Sequence, residues 1–214
     1  MKHDAVDERH EFSATLRASD PDAPTLCGDW TAALLTAHLV QRERSLREGL
    51  GRLPVPAFQR RAQEGLIHLV STRSYPELVD RFEAGPPPYS PWSVGPLREA
   101  VNLLEYAIHH EDVRRVDPNA EPRAIPVARQ RALWQKLRHS APFLMRRVGV
   151  PVRLVAAPFG EARVRARAEG APVVVTGDPL ELALVAFGRQ RVARVDYDGP
   201  PDAVAALREA RIAV

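Results

Sequence analysis

Up to about residue 148 the apolar side chains of this 214-residue chain recur at helical spacing, and after Gly149 they fall in short blocks cut by Gly or Pro. That change of period restricts the fold more than any single residue, because a segment patterned for one kind of element cannot bury its apolar face as the other. The first part predicts a helix over Asp4–Arg17, broken by Asp20, Pro21 and Pro24. Thr31 is placed to cap a second helix, TAALLTAHLVQRERSLREGL, ending near Gly49 and Gly51. Pro54 and Pro56 open a third, AFQRRAQEGLIHLVSTR, and Pro76–Glu83 forms a shorter fourth. The prolines of GPPPYSPWSVGP, residues 85–96, exclude regular structure there. Pro96 then suits the first turn of a helix to about Arg115, stopped by Asp117-Pro118, and another runs from Pro126 to Arg147. Beyond Gly149, strands are predicted over Val152–Ala156, Ala162–Ala168, Pro172–Thr176 and Ala193–Tyr197, with helices over Leu180–Gly188 and Pro201–Arg211. The expectation is an α+β chain: a helical bundle over 1–148, then a small α+β domain over 149–214.

Composition removes several function classes. No run approaches the roughly 18 apolar residues of a membrane span, and the charged start MKHDAVDERH lacks a signal-peptide core, so a cytoplasmic protein is expected. Cys27 is the sole cysteine, which leaves His, Asp and Glu to build any metal site and excludes an intrachain disulfide. Net charge is +3, and of 30 basic residues only Lys2 and Lys136 are lysines. Without a block of five or more basic residues, or interleaved basic and aromatic residues, no nucleic-acid partner is expected. The alternating ARVRARA puts Arg163, Arg165 and Arg167 on one face, which fits the solvated side of a sheet better than an anion site.

One stretch stands out for chemistry, NLLEYAIHHEDVRR over 102–115. Glu105 and His109 are four apart, so on a helix they differ by about 40° around the axis. Asn102 and Asp112 extend the same stripe, whereas His110 lies about 100° further round, as a neighbour at the rim. On the second helix His38 interrupts an apolar stripe of Leu34, Leu35, Leu39 and Leu46, with Arg42 one turn on. Taken singly, His38 also fits a hydrogen-bonded core histidine, and Glu105–His109 a helix-surface pair. Two bundle helices that each carry ligand-type residues on an inward stripe are how bundle metal sites are built. His38, Glu105 and His109 are therefore the candidate ligands, with Asp112 behind them. Three ligands would leave an open position, as catalytic sites do. Cys27 reads best as a small buried hydrophobe.

LCGDWTAALLTAHLVQRE (26–43), followed by EYAIHHEDVRR (105–115), resembles the mycothiol-dependent maleylpyruvate isomerase-like branch of the DinB-like metal-binding proteins. The resemblance implies an up-and-down four-helix bundle with a small α+β domain behind it. It implies a divalent ion, zinc first and nickel, manganese or iron as alternatives, on His38, Glu105 and His109. It also implies mycothiol as the thiol cosubstrate of a transferase or isomerase, its sulfur activated by the ion for attack on an electrophilic small molecule. GDPLELALVAFGR is the best-matching part of the C-terminal half, and Arg189 at its end could correspond to a substrate-facing arginine; a helix-end partner is the plainer reading. The family's acidic residue after Trp-Thr is missing, since Thr31 is followed by Ala32, Ala33 and Leu34. A monomer or homodimer is expected. The rival reading is a non-catalytic metal- or ligand-binding module using the same three residues.

Overall fold

The structure, a computed structural model, describes residues 4–44, 56–90, 93, 95–117, 119–165 and 168–212. In chain order the elements are α1 (Asp4–Ala18), α2 (Ala32–Arg44), α3 (Pro56–Thr72), α4 (Tyr75–Glu83), α5 (Gly95–Arg114), α6 (Val127–Leu144), β1 (Val152–Ala156), β2 (Gly160–Val164), β3 (Val173–Thr176), α7 (Pro179–Ala186), β4 (Asp196–Asp198) and α8 (Pro201–Glu209). The α+β class expected from the hydrophobic periods is what the chain adopts. The expected end of the second helix near Gly49, and Pro54, lie outside the described residues.

The chain divides into two units, Met1–Ala120 and Glu121–Val214. In the first, α1 packs against α5 and α4, and α2 packs against α3 and α4. The buried stripe of α1 (Ala5, Glu8, Arg9, Phe12, Ser13, Leu16) has helical spacing but includes two charged residues. Phe12 and Phe82 meet edge to face at 5.4 Å, and Phe82 meets Tyr106 likewise. Thr31 sits just before α2, and its Oγ1 accepts from the Leu34 backbone N–H at 3.3 Å. The missing acidic residue of a capping box therefore leaves the cap itself in place. Thr31→Ala should destabilise the protein by about 1 kcal/mol, read as a shift of the urea midpoint at unchanged m-value.

In the second unit the sheet has the order β2-β1-β3-β4, with β1 antiparallel to β2, parallel to β3, and β3 antiparallel to β4. Helix α6 packs on α7 and β2. Helix α6 lies in the second unit, because a helical period says that a face is buried but not against which core. All eight residues of α7 are buried, as befits a helix that is apolar all round except for Glu181. Gly188 follows it with φ of 83°, where a Cβ would run into the Ile212 carbonyl oxygen.

Two strands depart from expectation. β2 covers Gly160–Val164 rather than 162–168, since its register pairs Gly160 with Ala156 and Val164 with Val152. Arg165 then has φ of 55° and its side-chain Nε–H donates to the Val148 carbonyl at 2.9 Å. Arg163 and Arg165 thus do not continue one strand face; Arg167 lies outside the described residues. β4 is Asp196–Asp198 rather than 193–197. The Arg194 N–H, which a strand would offer to its neighbour, donates instead to the Glu181 carboxylate at 2.7 Å.

Candidate metal centre

The candidate site lies wholly within the first unit, where side chains of α2 and α5 meet. His38 and Arg42 are one turn apart on α2, and Asn102, Glu105, His109 and Asp112 form one stripe on α5, as the three- and four-residue spacing requires. The convergence point is Glu105 Oε1, with His109 Nε2 at 3.4 Å and His38 Nε2 at 3.7 Å. These separations are long for hydrogen bonds. The His109 separation matches the edge of a coordination tetrahedron, since ligand bonds of about 2.0–2.1 Å put donor atoms about 3.3–3.4 Å apart, and the His38 separation is wider. Among the described residues this group has three members, and His38, Glu105 and His109 are the three singled out from sequence.

The reverse side of His109 is engaged too. Its Nδ1 lies 2.9 Å from Asp112 Oδ2, with the Asp112 side chain fully buried. A ring that donates Nδ1–H to a carboxylate presents Nε2 as the free lone pair, which is the arrangement around ligating histidines in general. Arg42 lies beside the third donor, with Nε 3.4 Å from Glu105 Oε1 and a second guanidinium nitrogen donating to Asn102 Oδ1 at 2.8 Å. Its place one turn after His38 was visible in the sequence, but nothing there showed that it would face Glu105.

Electrostatics follow from these contacts. Burial works against the charge of Glu105, yet Arg42, His109 and His38 outweigh it and hold the carboxyl well below the usual carboxylate range. Burial also opposes a charged His109, but Asp112, Cys27 and Glu105 raise the imidazole well above its ordinary value. His38 is the most open of the three, its side chain 24% exposed against 13% for His109 and 8% for Glu105.

Other sequence candidates go elsewhere. His110, expected at the rim, is buried against α1: it stacks on Phe12 at 5.0 Å, with Nδ1 2.9 Å from Glu8 Oε1 and Nε2 2.7 Å from Thr15 Oγ1. One residue's rotation around α5 turns it away from the donor group and into the core. Cys27 is half-buried rather than part of an apolar cluster, with Sγ 3.0 Å from Asp112 Oδ2 and 3.5 Å from His109 Nδ1. No sequence period could have found it, because a turn and not a helix delivers it. His139 is exposed on α6, its Nδ1 against the Gln135 carbonyl. Arg189, in the second unit, donates to the Phe187 carbonyl at the end of α7.

The fold and site thus define a helical-bundle protein in which two helices bring a His/Glu/His group together, an arrangement that could hold a metal ion, with a carboxylate behind it. Residues 3–114 match the family model described as the mycothiol maleylpyruvate isomerase N-terminal domain, and the chain belongs to that family. A crystal structure of the mycothiol-dependent maleylpyruvate isomerase shares the fold at a TM-score of 0.58 and 18% identity, over 92% of both chains. A histidine-to-alanine mutant of that isomerase matches at 0.52 and 15%, again over 92% of both. No curated protein matches the chain. No described helix is long and apolar enough to cross a membrane.

Proposed function

We propose that the protein binds a divalent ion, zinc first, on His38, Glu105 and His109, and acts as a mycothiol-dependent isomerase or transferase. The observation that carries the reading is the grouping of three donor atoms, with His109 Nε2 at 3.4 Å and His38 Nε2 at 3.7 Å from Glu105 Oε1. Membership of a family named for a mycothiol-dependent isomerase supports the choice of thiol. A divalent ion in that position supplies Lewis-acid stabilisation of a thiolate at neutral pH.

The chain's own residues have separate tasks. Asp112 fixes the ring of His109, and Arg42 keeps Glu105 ionised and aimed at the histidines. His38, the open member, leaves a flank by which a small thiol and an electrophile can approach. A closed structural site would need a fourth protein ligand, and the described residues bring none to this group. The test is to load the purified protein with zinc, add mycothiol and maleylpyruvate or another electrophile, and follow isomerisation or thiol consumption. Turnover that disappears with a chelator supports the reading. Tight zinc binding without turnover on any electrophile would favour a non-catalytic metal-binding module.

Metal uptake should also depend on pH in a defined direction. Proton and ion compete for Nε2 of His109, whose pKa stands above the ordinary imidazole value, so affinity falls as pH falls. Calorimetry in buffers of different ionisation enthalpy should count about one proton released per zinc bound at neutral pH. Zinc affinity that ignores pH would remove His109 from the ligand set.

A further inference from the structure

Cys27 is not one of the three proposed ligands, yet the turn that carries it touches both histidines. Thr25 and Trp30 close the turn, Thr25 N–H and Oγ1–H both donating to the Trp30 carbonyl at 3.1 and 2.8 Å. The Cys27 N–H donates to Thr25 Oγ1 at 3.2 Å, and the Leu26 N–H donates to the Asp112 backbone carbonyl at 2.9 Å. The turn is thereby tied to α5 one residue from the thiol. At its other end the Trp30 ring lies 5.1 Å from the ring of His38.

Two roles are open to a thiol 3.0 Å from Asp112 Oδ2 and 3.5 Å from His109 Nδ1. It could be a ligand in a second donor set, Cys27–His109–Asp112. The distances favour hydrogen bonding instead: Asp112 Oδ2 has His109 Nδ1 at 2.9 Å and Cys27 Sγ at 3.0 Å, both at or inside donor–acceptor contact and shorter than the Glu105 contacts of the first set. Nδ1 is also the ring nitrogen that must carry a proton if Nε2 is to ligate.

We propose that Cys27 is a positioning residue of the metal centre: its S–H holds Asp112 Oδ2 in place, and Asp112 in turn fixes the His109 ring with Nε2 toward His38 and Glu105. The inference rests on the proposed ligand set. It assigns Cys27 a function through hydrogen bonding and makes the Thr25–Trp30 turn part of the site.

The test is a double-mutant cycle on the full chain, read as zinc affinity by competition with a chromophoric chelator. Cys27→Ala should weaken zinc binding by about tenfold, the lower end of the range for groups that hold a ligand. Cys27→Ser, which keeps a donor, should recover part of that loss. In an Asp112→Ala background, Cys27→Ala should cost nothing more, because the group it acts through has gone. If Asp112→Ala does not fold, the serine arm still decides. Wild-type affinity in Cys27→Ala, or an equal loss in both backgrounds, overturns the positioning role. A thiolate charge-transfer band on cobalt(II) loading makes Cys27 a ligand and overturns it too. A wild-type protein that takes up no zinc overturns the proposed function, and this inference with it.

Discussion

His109→Ala abolishes stoichiometric zinc uptake, and His38→Ala and Glu105→Gln do the same or nearly so; these are the largest effects expected of any substitutions in the site. Each removes one of three donors grouped around Glu105 Oε1, and two side chains cannot fill an ion's coordination sphere. The loss should exceed the roughly 10- to 100-fold that follows when a group merely supporting a ligand is removed. Asp112→Asn should fall inside that range. Metal content after dialysis, measured by mass spectrometry, separates the two classes of variant. Zinc should also stabilise the wild type by about 2.7 kcal/mol at a hundredfold excess over Kd, seen as a higher melting temperature that a chelator reverses. Should His38→Ala and the wild type carry the same metal, His38 is a hydrogen-bonded bundle histidine and the proposed site is wrong.

The second large effect concerns stability, in a charged cluster away from the donors. Arg9 on α1 donates to Glu43 of α2 at 3.1 Å, and Tyr106 of α5 donates to the same carboxylate while accepting from Arg9. The Glu43 and Tyr106 side chains are inaccessible and Arg9 is 5% exposed, so this is a buried ion pair joining three helices. Burial opposes the charge on Arg9, yet Tyr106 and Glu43 outweigh it and raise the guanidinium further. Glu43→Ala would leave that cation in the core and should cost about 3–5 kcal/mol in urea unfolding. Replacing both members, Arg9→Met with Glu43→Leu, should cost far less, since the penalty lies in stranding one charge. An equal loss in the single and double variants would show that packing and not charge sets the value. The cluster borders the site through Arg42, the residue before Glu43, so zinc affinity measured on the double variant reports how far the two are coupled.

Much of the site was legible because helices are periodic. Glu105, His109 and Asp112 share a stripe by spacing alone, and His38 showed itself as a titratable ring in an apolar stripe. The same arithmetic separated His109 from His110 but could not say where His110 would go. Its place against Phe12, Glu8 and Thr15 depends on α1 packing across α5, a contact between residues about a hundred positions apart. Arg42 was visible as a residue one turn from His38, though not as a partner of Glu105 and Asn102. Strand limits differ from the sequence expectation where the ladder overrides composition: the alternation of ARVRARA continues past Val164, but pairing with β1 ends there.

By itself, the amino-acid sequence determined which residues could share a helical face, where the hydrophobic period changes, and that any metal site must be built chiefly from imidazole and carboxylate. Those follow from local geometry, which repeats every few residues whatever surrounds it. Only the tertiary structure decided that the faces of α2 and α5 meet at Glu105 Oε1, that α6 belongs with the sheet, and that a turn brings the sole thiol to the back of His109. Such facts depend on which surfaces bury one another, and burial is settled by the packing of the whole unit rather than by any stretch of chain.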